Sequence, residues 1–443
     1  MNTLRIVQAL LLLLLTVSLF PFVQAIEPAW IYPINDTKIG NIAISSDAST
    51  IIVAAENLWI FSKDGTLIKK EPYGESVVLT PNGRYAASFF GNTIYFFSTP
   101  LTTGTPDPKQ LNKVWEYEVS NPVLSVDITD SGNTIVAATS GNGVCIITTQ
   151  PQKFVSNNTF PNTLVRISHD GGRIVGLSTD KIRLYGSNAK PSKTYNLASV
   201  TQPDFMALSQ TVPLMVYNDA KTIHSVDLSI GTELWYARAA GYPKALAMTS
   251  SGSFVVVGTD NGNIERYDDK GALNWSYSSS LENKPDAEIT GIALSKDGSL
   301  VAAGSNDGKI LLLNTYGNLL GSYQTNDPIH SMAMSSDGST VIAAGDKNIY
   351  AFSTGYKPSP ASSTVSRTLP QGTLNTTSQN ITAPQNLTRQ PVVPTHTKVS
   401  VERTITELPT EYSVIKTSKQ SPLSDLIPLG GLVVAWMLLV RRR

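Results

Sequence analysis

The sequence predicts an all-β fold, an eight-bladed β-propeller of four-stranded antiparallel blades whose last blade is closed by an N-terminal strand. Three observations carry this. A hairpin of similar composition recurs eight times, and its period is near 40 residues. A Trp-x-Tyr strand precedes the first hairpin, while the eighth hairpin has none after it. Repeats of this length with four strands each are propeller blades.

Every hairpin has the same parts. An apolar strand ends in Ser or Thr, and a turn of the Ser-x-Asp-Gly type follows. The Asp accepts local amides there, and the Gly takes a positive φ. The glycine position falls at Ala48, Gly83, Gly132, Gly171, Val212, Gly252, Gly298 and Gly338. The intervals of 35, 49, 39, 41, 40, 46 and 40 residues define the repeat. The second strand is apolar and small, as in Val301-Ala302-Ala303-Gly304. Such runs suit a sheet covered on both faces, as a blade is by its neighbours. Fourth strands carry Trp115-Glu116-Tyr117, Trp235-Tyr236 and Trp275-Ser276-Tyr277. Trp30-Ile31-Tyr32 has no hairpin of its own to complete, so it is expected on the outer edge of blade eight. Trp30, Trp115, Trp235 and Trp275 are the expected docking residues between blades.

The stretch 225–237 contains Asp227, Gly231 and Trp235, with Ile230 where Thr is usual. It resembles the tryptophan-docking motif of quinoprotein-like eight-bladed propellers, and 268–275 is a shortened copy. Similar repeats occur in WD-repeat-like surface propellers of archaea. The resemblance covers residues 29–353 and implies the fold. It does not extend to quinone chemistry. The quinone dehydrogenases of that group carry a disulfide between adjacent cysteines, and this chain has one cysteine, Cys145, in an apolar strand. No cofactor and no metal are expected.

The chain ends predict further segments. Arg5 precedes the apolar run Ile6 to Phe22, and small residues follow at Val23 and Ala25. This predicts a signal peptide over 1–25, ahead of a propeller domain over 26–356. Ser, Thr and Pro make 30 of the 66 residues of 357–422, too polar to form a core, so a disordered stalk is expected. Residues 423–443 read as a transmembrane or sorting segment with a basic tail, because Leu426 to Val440 carries no charge and Arg441 to Arg443 follow. This end resembles the sorting tails of archaeal surface proteins, without their Pro-Gly-Phe signature. Sequons stand at Asn35, Asn157, Asn274, Asn375, Asn380 and Asn386. The expectation is an exported glycoprotein anchored at the outer face of the cell membrane.

Charge and motifs bound the function. Lys plus Arg equals Asp plus Glu at 34 each, so no nucleic-acid partner is expected. Gly304 to Gly308 encloses three residues where a phosphate loop encloses four, and Ile310 stands where that loop needs Ser or Thr. Ahead of Asp297 and Asp337 the ligand positions of a calcium loop hold Ser and Ala. His169, His224, His330 and His396 have no partner cluster in sequence. The turns between second and third strands carry Asn57, Asn92, Asn142, Asp180, Asp219, Asp260, Asp307 and Asp346, all on one face by blade symmetry. Turn chemistry accounts for them. The alternative is a ring that binds a cation, a glycan or a basic partner. The favoured function is a non-enzymatic binding or scaffold module with a surface protein or glycan as partner and the membrane held by the C-terminal segment. The alternatives are an extracellular hydrolase or lyase with residues gathered in the channel, and an envelope assembly factor.

Overall fold

The computed structural model describes residues 24–356 apart from 37–38, 73, 100–106, 142, 150–151, 158–162, 198–202 and 280–286. The chain divides into two units, Met1–Ser366 and Arg367–Arg443, and every described residue lies in the first. The stalk, the C-terminal segment, His396 and the sequons at Asn375, Asn380 and Asn386 lie outside the described residues, as does Asn142.

Eight four-stranded antiparallel blades form the ring, with strands lettered A to D from the channel outward. Blade 1 is Ile42–Ile44, Thr50–Ala54, Asn57–Ser62 and Leu67–Pro72. Blade 2 is Ser76–Leu79, Tyr85–Phe90, Thr93–Ser98 and Asn112–Glu118. Blade 3 is Val123–Ile128, Thr134–Thr139, Gly143–Thr149 and Gln152–Asn157. Blade 4 is Leu164–Ile167, Ile174–Leu177, Lys181–Tyr185 and Pro191–Asn196. Blade 5 is Met206–Leu208, Leu214–Asp219, Thr222–Asp227 and Thr232–Arg238. Blade 6 is Pro243–Met248, Phe254–Thr259, Asn263–Asp268 and Leu273–Ser278. Blade 7 is Ile289–Leu294, Leu300–Ser305, Lys309–Asn314 and Leu319–Gln324. Blade 8 takes strands A to C from Ile329–Met334, Thr340–Gly345 and Asn348–Ser353. Its strand D is Pro28–Pro33, paired antiparallel with Trp30 opposite Ala351. The A strands touch in chain order, and the eighth touches the first. Upstream, Gln24–Ala25 adds a fifth, parallel strand to the edge of blade 7.

The A–B turns fold as their sequence dictates. The Ser295 hydroxyl donates to Asp297 at 2.7 Å and accepts the Leu300 amide at 3.0 Å, while Asp297 also accepts the Ser299 amide at 3.0 Å. Ser45, Ser168 and Ser335 repeat this set with Asp47, Asp170 and Asp337. At the glycine position φ is positive in the seven other blades, including 59° at Ala48, but not at Val212. Valine is β-branched and resists that region, so blade 5 turns differently, with the Val212 amide bonded to the Ser209 hydroxyl at 3.3 Å.

The turns also join blade to blade through the variable residue of Ser-x-Asp-Gly. Ser46 N–H donates to Pro81 O at 2.7 Å, Asp130 N–H to His169 O at 3.1 Å, and Gln210 N–H to Ser250 O at 2.8 Å. Lys296 N–H donates to Ser336 O at 2.9 Å, and Ser336 N–H to Ser46 O at 3.0 Å. His169 N–H reaches the Gln210 side chain at 2.8 Å instead. Pro81 has no amide hydrogen to pass on to blade 3. An interrupted girdle of main-chain bonds thus joins blades 1 and 2, 3 and 4, 5 and 6, 7 and 8, and 8 and 1 at the lower channel mouth.

On the outer rim, strand D docks on the C–D turn of the next blade. Trp30 Nε1–H donates to Lys63 O, Trp235 to Asp269 O and Trp275 to Thr315 O, each at 3.0 Å. Each acceptor lies two residues before a glycine, and each indole covers that glycine: Gly65, Gly271 or Gly317. A Cβ there would sit 2.6–2.8 Å from the ring, and φ near +80° excludes one in any case. Trp115 stacks on Phe96 with centroids 5.2 Å apart, but its buried Nε1 finds no partner among the described residues. Cys145 is buried, and burial pushes its thiol up to about 11.

Two outcomes follow. Trp30→Ala removes the indole that seats the closing strand on blade 1. Because Trp30 is only partly buried, the cost is about 2–3 kcal/mol, below that of a core tryptophan. A thermal melt beside wild type checks this, and an unchanged midpoint contradicts it. The second outcome is acid sensitivity. The Ser168 hydroxyl and the Gly172 amide hold the Asp170 carboxyl below its ordinary 3.8. Burial pushes the Asp297 and Asp337 carboxyls up, but hydroxyl and amide donors outweigh it and leave both low. A carboxyl that is low in the folded ring stabilises it fully above the unfolded value, and loses that contribution as pH falls through the folded value. Stability should therefore drop below about pH 4. Asp297→Asn should narrow the gap between urea midpoints at pH 3 and pH 7.

Candidate functional site

Strand alternation puts the B–C turns and the D–A connections on one face, here called upper, and the A–B and C–D turns on the lower. The predicted ring of Asn and Asp lies on the upper face. Its described members are engaged by their own surroundings. Asn57 gives its amides to Asp36 at 3.0–3.1 Å, and Asn92 donates to Glu118 and to Val119 O at 3.0 Å. Asp180 accepts from Ser178 at 2.9 Å and from Lys181. Asp260 accepts the Tyr242 amide at 2.8 Å, Asp307 accepts from Ser305, and Asp346 bonds His330 at 2.6 Å. Asp219 is half-buried beside the blade 4 interface. These residues form a rim, and no common centre gathers them. Among the described residues no group of His, Cys, Asp and Glu is placed to hold a metal ion. Asn35 and Asn274 are exposed.

The buried carboxylates Asp36 and Asp327 on this face were not singled out from sequence. Asp36 accepts Trp59 Nε1–H at 2.8 Å and Lys70 Nζ at 3.3 Å besides Asn57. Burial pushes this carboxyl up, but those donors outweigh it and hold it below the ordinary range. Asp327 in blade 8 does the same work, accepting the Lys347 and Asn348 amides at 2.9–3.1 Å and the Tyr350 hydroxyl at 3.3 Å. The sequence signal is an Asn-Asp pair ahead of strand A, at Asn35-Asp36 and Asn326-Asp327.

The channel's upper mouth is shaped by a recurring bulge. The second residue of strand A slips out of register at Leu124, Lys244, Thr290 and His330. A bulge re-aims its side chain. Leu124 is 45 % exposed, Lys244 reaches Glu288 at 3.7 Å, and His330 reaches Asp346. Beside Leu124, Val123 N–H donates to Gly91 O at 2.8 Å, which sets Phe90, itself 42 % exposed, on the adjoining turn. Glu75 and Glu118 flank this apolar pair: Glu75 N–H bonds Phe89 O at 3.0 Å, and Glu118 holds Asn92.

The lower half of the channel holds a cavity of about 290 Å³ walled by Ile44, Val78, Leu79, Ile128 and Ile167. Its polar side is Asp127, Asp130, His169 and Gln210. Burial pushes the Asp127 carboxyl up, and the Arg166 guanidinium and the Ile167 and Ile128 amides offset this only in part. Asp130 and His169 Nδ1 stand 3.1 Å apart. His224 with Glu233, and His330 with Asp346, are 2.6 Å pairs. Each described histidine thus has a carboxylate that sequence spacing hid. Among the described residues no Ser, Thr or Cys bonds any of the three imidazoles, so no nucleophile–base–acid set is assembled.

Comparison with known proteins agrees with this geometry. A family model described as the Vps8 β-propeller matches residues 230–396. Sqt1 of Chaetomium thermophilum is similar in structure, with a TM-score of 0.62 and 15% identity over 74% of this chain and 98% of that one. Sqt1 bound to the N-terminus of the ribosomal protein L10 gives 0.63 at 15% identity, over 74% and 100%. No curated protein sequence matches. These likenesses are to propellers of the WD40 type, and they establish the fold. They overturn the expected placement of the protein at the outer face of the cell membrane. The similar propellers are a Vps8 domain and a Sqt1 whose recorded partner is part of a ribosomal protein. Among the described residues no helix is long and apolar enough to cross a membrane.

Asp36→Ala leaves the Trp59 indole N–H and the Asn57 amide without their acceptor. Orphaned buried donors cost about 1–3 kcal/mol. A lowered melting midpoint and a shifted tryptophan emission are the expected results.

Proposed function

We propose that this propeller is a non-enzymatic scaffold whose upper face docks an extended, basic segment of a partner protein. The observation that carries the reading is the apolar pair Phe90 and Leu124 at the channel mouth, flanked by Glu75 and Glu118. Exposed apolar groups beside acids suit a chain that alternates apolar and cationic side chains. The rim adds Asp180, Asp219, Asp260, Asp307 and Asp346 as a longer-range attraction. The Sqt1 propeller recorded with a ribosomal-protein N-terminus supports a peptide-sized partner. Tyr242, half exposed on the same face with Lys221 Nζ 4.6 Å from its ring centre, extends the surface.

The test uses full-length protein and two fluorescent peptides of mixed apolar and basic or mixed apolar and acidic sequence. The basic peptide should bind, and raising salt from 50 to 300 mM should weaken it severalfold through screening. Leu124→Asp with Phe90→Ser should abolish binding without moving the melting midpoint. Equal binding of the acidic peptide, or indifference to the double variant, contradicts the reading.

A further inference from the structure

The interface between blades 4 and 5 departs from the docking pattern. Lys193 stands where blades 5, 6 and 8 carry tryptophan, and its Nζ donates to Ser229 O at 2.7 Å, again two residues before a glycine. Tyr195 covers that glycine, Gly231, and donates its hydroxyl to Leu228 O at 3.0 Å. A lysine stem fills less space than an indole. A cavity of about 250 Å³ stays open beside it, lined by Tyr195, Asn196, Tyr217, Asp219, His224 and Glu233 among others.

Tyr217 breaks the repeat. The matching position of strand B, opposite the third residue of strand C, holds Val53, Ser88, Ala137, Gly176, Val257, Ala303 or Ala343 in the other blades. Tyr217 is only 3% exposed, yet its hydroxyl makes no hydrogen bond with any described residue. The ring is buried while the residue lines the cavity, so the unpartnered hydroxyl is open to a ligand there. Burial, then the charges of Glu233 and Asp219, push its ionisation up, which places both carboxylates close to a neutral phenol. The His224 ring stacks on Tyr217 with centroids 5.0 Å apart, and its Nδ1 lies 2.6 Å from Glu233. A carboxylate only accepts, so Nδ1 carries the hydrogen in that bond.

We propose that this cavity binds an organic cation through an ammonium or guanidinium head. Two carboxylates and an unpaired phenol oxygen supply acceptors, and two tyrosine rings supply electron-rich walls. The volume is below the ~300–1,000 Å³ of drug-sized sites and suits one side chain or a small amine. The ammonium of Lys193 is spent on Ser229 O. The site requires no partner protein, so it stands apart from the docking surface around Phe90 and Leu124.

The experiment titrates full-length protein with N-acetyl-argininamide, with the peptide Gly-Gly-Arg-Gly-Gly amide, and with N-acetyl-norleucinamide as the neutral control. Calorimetry reads affinity, and NMR shifts of the Gly231 amide read location. The cationic probes should bind and move Gly231, and the neutral one should not. Tyr217→Phe keeps the ring, and Glu233→Gln keeps an acceptor for His224. Each should weaken the cationic probes about tenfold while the melting midpoint holds. Binding of the free probe alone points to a small amine, and equal binding of the peptide points to a protein side chain; both sustain the proposal. Equal affinity for norleucinamide, shifts that spare Gly231, or unchanged affinity in both variants overturns it.

Discussion

The pairing of Pro28–Pro33 with Asn348–Ser353 is the constraint on which the ring depends. It joins the two ends of the described chain by main-chain bonds, so blades 1 and 8 cannot separate without breaking a strand out of a sheet. Trp30 extends the lock sideways. Its ring stacks near Phe61 of blade 1 with centroids 5.8 Å apart, and Tyr32 meets the same Phe61 at 4.9 Å. Gln24–Ala25 then ties the incoming chain to blade 7. One short segment therefore touches three consecutive blades.

The girdle at the lower mouth works on the other side of the same problem. Strand pairing within blades does nothing to hold neighbours at a fixed spacing around the channel. Bonds such as Ser336 N–H to Ser46 O do, and that one crosses the closure itself. The hydroxyl contact between Ser336 and Ser46 at 2.9 Å repeats it with side chains. Outer tryptophans and inner turns thus fix the contacts of blade 8 with blade 1 and of blade 5 with blade 6 at both radii.

The fold was legible because its signals are local. Ser295, Asp297 and Gly298 bond to one another across a few residues, and the sequence repeats that set around the ring. The closing strand was legible by subtraction, since Trp30 had no hairpin and blade 8 had no fourth strand. The site was much less legible. Asp130 pairs with His169 across two blades, and Asp36 serves Trp59 from the far side of a strand. Such contacts depend on blade geometry rather than on spacing. The Asn and Asp ring was visible as a pattern, but its described members answer to nearby amides, hydroxyls and charged side chains. The apolar ends of the chain pointed outward by composition alone, while the described ring is similar to a Vps8 domain and to Sqt1.

The core explains where novelty can settle in such a ring. The buried apolar residues fall into separate clusters, one at each interface between neighbouring blades. Stability is then close to a sum over interfaces, as in other repeat proteins. A change at one interface is felt by two blades and little further. The interface of blades 4 and 5 uses this freedom. It keeps Met215, Val226 and Leu228 as packing, keeps the bond to the carbonyl before Gly231 through Lys193, and places Tyr217 where its siblings hold small residues. The departure is therefore absorbed locally, and the unpaired phenol is the mark it leaves.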